Sequence, residues 1–359
     1  MRLKQLVLRN FRNYVNEAVT FSPGVNLIYG KNGAGKTNLL EALYLLSTGR
    51  SFRTSHLTDL IRKESSHFYI EAQFEKDGIE QSLSIGFDGK NRKIHYNATT
   101  LNNFSHLLGL LPSVLYAPVD SQLIAGAPLE RRRFLNIQLA QSDPSYVHHL
   151  MRYHKAMKHR NTLLKAKNEE SLDSWEEMMA DSAKYLMLKR AHLLEELSPK
   201  VQEFSKKLSD SNDQFDLFYS PSVGMKHLEN IQHIFKKQRK KELILGTTLS
   251  GPHRDDFLIS YQKKDAKTYA SEGQKRTCIA ALKMAERERL SAEALLGIDD
   301  FGIHLDENRT ALLHEAISSI GQVFLTVPSD EFIGEVSHSR FLYVEAGTIT
   351  SDQLYVGRT

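Results

Sequence analysis

Gly30-Lys31-Asn32-Gly33-Ala34-Gly35-Lys36-Thr37 constrains this chain more than any other stretch. It follows the pattern G-x-x-x-x-G-K-[ST], a phosphate-binding loop. Glycines at 30, 33 and 35 let the backbone curl until successive N–H groups point at one anion. Lys36 supplies a compact positive charge for the β- and γ-phosphates, and the Thr37 hydroxyl is a ligand for Mg²⁺. The flanks agree: Val25 to Tyr29 reads as a short strand. Asn38 to Leu46 reads as a helix, with apolar residues at 39, 40, 43 and 46. A loop that opens a helix gains the attraction of the helix N-terminus for phosphate.

The chain has 359 residues, 41% apolar and 25% charged, enough for two or three domains with a sizeable core. Cys278 is the single cysteine, which excludes an intramolecular disulfide and fits a reducing compartment. No apolar run is long enough to span a bilayer, and the first residues lack the pattern of a signal peptide. The expected location is cytoplasmic. The net charge is +4, unevenly placed: residues 119–241 carry +5 and the remainder −1. Arg131, Arg132 and Arg133 form one basic run, and Lys236 and Lys237 open another that ends at Lys241. Such runs are either solvated surface or contacts for a nucleic-acid backbone.

Residues 1–118 read mainly as strands around the loop helix. Phe68 to Phe74 and Gln81 to Phe87 alternate apolar and polar, and Asp88 to Asn91 is a turn signal. From 119 to 241 the periodicity is helical. Pro144 suits a first turn behind Asp143 as cap, and Trp175, Met179, Leu186, Leu193, Leu197, Val201, Phe204 and Leu208 form one stripe. Strand patterning returns from 242 to 359. The expected fold class is α/β: a nucleotide domain built from 1–118 and 242–359, with a mainly helical lobe, 119–241, inserted between.

Three later segments bear on the nucleotide. Leu295 to Ile298 is a hydrophobic strand that delivers Asp299 and Asp300. Asp299 suits a Mg²⁺ site with Thr37; Asp300 suits a general base that orients water. The bland reading is a buried strand ending in an Asp-Asp turn. Ser271, Gly273 and Gln274 open a helix predicted to run to about Ala292. They combine a hydroxyl, a bare N–H and a helix N-terminus, a second anion site. A plain serine cap is the other reading. One chain needs only one γ-phosphate site, so the second suits the ATP of a facing copy. Segments of this kind are the signature of ABC-type ATPases. Leu305-Asp306 lies where such proteins place a loop across the dimer seam, and Thr326 where they place a polar switch residue.

With these segments the chain resembles the RecF family of SMC-like ABC ATPases. The resemblance rests on Leu8 to Tyr14, Gly30 to Asn38, Gly49 to Thr54, Glu130 to Leu135, Gly251 to Asp256 and Ser271 to Gln274. It implies a DNA-binding protein of recombinational repair and replication restart, with slow DNA-stimulated ATP hydrolysis and an ATP-dependent homodimer. The implied cofactors are ATP and Mg²⁺. The implied partners are single-stranded and gapped duplex DNA and the mediators RecR and RecO, which together help load the RecA recombinase. Carried over by residue, Gly30 to Thr37 hold the nucleotide, with Arg12 and Asn13 nearby. Lys36 and Asp300 are catalytic, Thr37 and Asp299 hold Mg²⁺, and Ser271, Gly273 and Gln274 act in trans. Asp306 belongs to the seam loop, and Arg131, Arg132, Arg133, Lys236 and Lys237 are the DNA candidates. Two positions depart from the pattern: Asn136 stands where Asp is expected, and His304 where Glu is expected. The segment Gly251 to Asp256 reads as a loop that packs beside the ATPase core. A small-molecule kinase explains the loop but not the Ser271 segment. A DNA tether that binds but does not hydrolyse ATP explains Asp299 without a catalytic Asp300.

Overall fold

The computed structural model describes residues 1–209, 213–291, 293–302, 307–318, 320–328 and 340–351. The chain divides into two units. The first comprises Met1–Ser121, Glu203–Asp213 and Ser271–Thr359; the second comprises Gln122–Gln202 and Gln214–Ala270.

Among the described residues, two six-stranded sheets organise the first unit. One runs in the order Thr348–Ser351, Arg340–Glu345, Gly24–Tyr29, Gln322–Val327, Leu295–Ile298, Ser113–Tyr116. All neighbours are parallel except the hairpin formed by the first two. The burial explains why: Gln322–Val327 and Leu295–Ile298 are buried at every residue, as parallel strands covered on both faces require. Register then places function. Tyr29 pairs with Val327, and Leu325 pairs with Ile298, so three strands end along one edge. Ligands of open α/β sheets bind at that carboxyl edge.

The second sheet is antiparallel, in the order Tyr14–Thr20, Arg2–Phe11, Phe68–Lys76, Ile79–Phe87, Arg92–Tyr96, Thr99–Thr100. The expected turn at Asp88 is present: its Oδ1 accepts the N–H groups of Lys90 (2.9 Å) and Asn91 (2.6 Å). The loop helix Lys36–Thr48 belongs to one hydrophobic cluster with both sheets. Leu39, Leu43 and Leu46 join Leu6, Leu8 and Phe74 of the antiparallel sheet and Phe324 and Leu342 of the parallel one. The helix stops at Gly49, whose φ of 64° is the left-handed conformation glycine adopts without strain.

The second unit contains the helices Pro128–Ser142, Pro144–Lys165 and Ile231–Leu245 and most of Leu172–Lys207. Asp143 caps the second of these, its carboxylate accepting the Tyr146 N–H at 3.1 Å, as the Asp-Pro pair predicts. Within the stripe read from the sequence, Met179, Leu186, Leu193, Leu197 and Val201 are buried. Trp175 is only half-buried, stacked on His159 at 4.4 Å.

The boundaries differ from the 119–241 insert. Asp256–Tyr261 pairs antiparallel with Phe215–Ser220, so the second unit carries a small sheet and extends to Ala270. Gly251 to Asp256 is tied by hydrogen bonds within the second unit. Asp255 is fully buried and accepts from Ser222 N, Arg190 and the Tyr219 hydroxyl. His253 Nε2 faces Thr248 O at 3.1 Å, and the Tyr153 hydroxyl faces Nδ1 at 2.7 Å. Asn136, the departure from the expected Asp, accepts from Tyr146 and Arg190. Among the described residues no helix is long and apolar enough to cross a membrane.

Candidate nucleotide site

Backbone geometry creates the cradle. Gly30 has φ 147° and Gly35 has φ 128°. A Cβ at Gly30 would lie 2.2 Å from the Val344 carbonyl oxygen, and one at Gly35 would lie 2.8 Å from the Asn13 amide. Neither position admits another residue. Among the described residues, nothing beyond the adjoining chain lies within 4 Å of a Cβ built on Gly33, so the loop is open there. The helix Lys36–Thr48 has no side-chain cap and no acidic residue in its first turn. Its first N–H groups and the positive end of its dipole are therefore left for an external anion.

Lys36 is 5% exposed, and its ammonium donates to the carbonyls of Gly30 (2.6 Å) and Lys31 (3.1 Å). Burial pulls its pKa below the usual lysine value, opposed by the charges of Asp300 and Asp299. Lys31, Asn32 and Gly33 are exposed, whereas Gly30, Ala34 and Gly35 are buried. The Asn13 amide donates to Ala34 O at 2.6 Å, and the Tyr14 hydroxyl to Gly35 O at 2.9 Å, so the hairpin tip after the first strand holds the loop from behind.

Across the loop stand the acidic residues. Asp299 is 8% exposed, and its Oδ1 accepts the hydroxyls of Thr37 (2.9 Å) and Thr326 (2.7 Å). Burial raises its pKa above the usual carboxylate range, with Asp300 adding to the rise and the two threonines opposing it. The same Thr326 oxygen accepts the Asp300 N–H at 2.8 Å. Asp300 has φ 56°, a left-handed conformation uncommon for a residue with a side chain. It lines a cavity with Tyr116, Pro118, Asp299, Phe301 and Leu313. The Thr37 hydroxyl and Asp299 carboxylate are hard oxygen donors in contact, the donor set that suits Mg²⁺. With the bare cradle and buried Lys36, the residues present fit a Mg²⁺-nucleotide.

Ser271 caps the helix Glu272–Leu290 in a reciprocal box. Its Oγ accepts Gln274 N at 3.3 Å, and Gln274 Oε1 accepts Ser271 N at 2.9 Å. Ser271 is exposed and Gly273 half-buried. Asp306 lies outside the described residues.

The residues of the two basic runs differ in their surroundings. Arg131 makes a bidentate pair with Asp256 (2.7 and 2.8 Å), and Arg132 donates to Asp255 O at 2.9 Å. Both guanidinium groups are engaged by partners within the second unit. Periodicity cannot foresee this, because Asp255 and Asp256 lie over 120 residues away in sequence. Arg133 is exposed beside Glu130, Lys236 is exposed and paired with Asp173 at 2.9 Å, and Lys237 is exposed.

Sequence reasoning missed Tyr14, Asn38, Glu41 and Arg53. Glu41 had one available signal: it is the single acidic residue of the helix Lys36–Thr48, set among Leu39, Leu40, Ala42 and Leu43. Thr326 was marked for its place, but its hydroxyl bonds to Asp299 and Asp300 emerge only from the fold.

A parallel sheet with a phosphate loop, an acidic strand end and a serine-capped helix define a P-loop ATPase head of the ABC type. The family model described as "RecF/RecN/SMC N terminal domain" matches residues 2–350. The chain belongs to this family, and within it to RecF. It is 46% identical over 354 residues to the DNA replication and repair protein RecF of Protochlamydia amoebophila, covering 96% of this chain and 98% of that one. Identity to the RecF of Chlamydia caviae is 40%, over 91% of each. A solved structure of "the recombination mediator protein RecF-ATP in RecFOR pathway" superposes with a TM-score of 0.90 at 31% identity, covering 98% of both chains. The Smc head domain of Pyrococcus furiosus shares the fold alone, at a TM-score of 0.59 and 18% identity over 98% of this chain and 96% of that one.

Proposed function

We propose that this chain is an ATP-dependent DNA-binding protein of recombinational repair and replication restart. On this reading it binds single-stranded and gapped duplex DNA at junctions, dimerises on ATP, and hydrolyses ATP slowly under DNA stimulation. With RecR- and RecO-type mediators it helps load the recombinase, in the cytoplasm and at the nucleoid.

The observation that carries the ATPase part is the triad of Thr37, Asp299 and Thr326 beside a glycine cradle with buried Lys36. Thr37 and Asp299 would hold Mg²⁺, which supplies neutralisation of phosphate charge when bound. Lys36 adds a fixed positive charge at the same mouth. Asp300 is held by its N–H on Thr326 and lines a cavity with Asp299, which suits a base that orients water. Ser271, with Gly273 and Gln274, would present a helix N-terminus to the nucleotide of a second copy. The DNA-repair part is supported by the names of the relatives and by the exposed Arg133, Lys236 and Lys237.

The test is size-exclusion chromatography with light scattering, with and without a non-cleavable ATP analogue, on the wild type and Ser271→Arg. Wild type should shift from monomer to dimer and the variant should not. A wild type that remains monomeric with analogue and gapped DNA overturns the dimer reading.

A further inference from the structure

Glu41 lies five residues beyond Lys36 on the loop helix, flanked by buried Leu39, Leu40, Ala42 and Leu43, and is itself fully buried. A carboxylate without solvent is tolerated only when paired and hydrogen-bonded. Arg12 grips both of its oxygens, Nε to Oε2 at 2.8 Å and Nη2 to Oε1 at 2.7 Å. The Ser51 hydroxyl donates to Oε1, and Arg53 Nη1 approaches Oε2 at 3.5 Å.

These contacts belong to a closed ring that ends on the phosphate loop. Arg12 has φ 55°, so the hairpin tip is strained, and its Nη1 also donates to Asp59 O at 2.9 Å. The next residue, Asn13, donates to Ala34 O and accepts from Asn38 Nδ2 at 2.8 Å. Asn38 Oδ1 accepts Arg53 Nη1 at 2.7 Å, and Arg53 returns to Glu41. One buried anion thus holds two cations and the strained tip that supports the loop. Its geometry excludes direct contact with a ligand, because both oxygens are taken from within the protein.

We propose that Glu41 is a positioning residue of the nucleotide site: it sets Arg12-Asn13 and Arg53 against the phosphate loop and so tunes the loop's affinity for a triphosphate. The proposal rests on the reading of Gly30 to Thr37 as an ATP site. Glu41 acts through Arg12, so its effect is coupled to Arg12, whereas a merely space-filling role is not. Glu41→Gln keeps the shape and removes the charge.

The experiment is equilibrium binding of a fluorescent ATP analogue with Mg²⁺, together with melting temperature without nucleotide, on wild type, Glu41→Gln, Arg12→Ala and the double variant. Glu41→Gln should weaken binding by about tenfold or more, as loss of an outer-shell partner does. In the Arg12→Ala background the same change should cost less than about threefold. Equal losses in both backgrounds, or unchanged binding by a folded Glu41→Gln, overturn the proposal. Should Glu41→Gln fail to fold, Ser51→Ala and Arg53→Ala each remove one contact to Glu41 from a less buried position, Arg53→Ala also releasing Asn38. Each should weaken binding a few-fold, and wild-type binding by both overturns it. A wild type with no affinity for the analogue overturns the ATP-site reading itself, and this proposal with it.

Discussion

One hydroxyl decides how the two acidic residues of the nucleotide site are held. Thr326 Oγ1 donates to Asp299 and accepts from the Asp300 N–H, so Thr326→Val keeps the shape and loses both bonds. Leaving those groups unsatisfied should lower unfolding free energy by about 1–3 kcal/mol in urea titration. ATP turnover should fall with it; wild-type turnover would show that Asp300 needs no anchor. His253 gives a residue-scale prediction in pH. Burial holds its pKa down to about 4, with Arg254, His154 and Arg132 adding to the depression against the Thr248 carbonyl. Below about pH 6.5 the unfolded chain takes up a proton that the folded one refuses until about 4. Stability contributed by neutral His253 is therefore complete above 6.5 and declines as pH falls, by about 3 kcal/mol at pH 4. Urea unfolding at pH 7 and pH 4.5 should show a drop that is smaller in His253→Gln, and an equal drop would remove this group as the cause.

At the scale of elements, the helix Glu272–Leu290 separates two roles of one serine. As a cap, Ser271 is replaceable by Asp, an equally good N-cap that also favours the positive helix end. As a trans phosphate contact it is not, because a carboxylate repels the ligand. Ser271→Asp should melt within a few degrees of wild type yet lose the ATP-induced dimer in light scattering. Dimerisation at wild-type nucleotide concentrations would reduce Ser271 to a cap. The strand, loop and helix around Gly30 were legible because every determinant is local: glycines, a lysine and an apolar periodicity within some twenty residues. The turn at Asp88 and the Asp143-Pro144 helix start were legible for the same reason. The position of Asp256–Tyr261 was not, because an alternating strand carries no record of which strand it pairs with.

For the whole molecule, the second unit is fastened by charge as well as by its apolar stripe. Arg160 is fully buried and pairs with Glu176 (2.9 Å) and Glu242 (2.6 Å), joining Pro144–Lys165 to Leu172–Lys207 and Ile231–Leu245. Arg239 completes the group on Glu176 at 2.6 Å. Arg160→Met should destabilise by about 3–5 kcal/mol, since it removes the ion-pair partner of buried Glu242 and leaves buried Glu176 to Arg239. A loss below about 1 kcal/mol in urea unfolding would mean that water or rearrangement satisfies them. Such pairs are invisible in composition: residues 119–241 carry a net +5, and within them Arg131, Arg132, Arg160 and Arg239 face internal partners. By itself the amino-acid order determined the cradle, the threonine that closes it, the acidic strand end and the capped helix, because each is a short-range pattern with its own chemistry. Only the tertiary structure decided that Thr37 meets Asp299, 262 residues away, that Thr326 bridges the two acidic residues, and that Glu41 gathers Arg12 and Arg53. Those meetings follow from strand register and helix packing, which depend on the shape of all the buried side chains together and on no single segment.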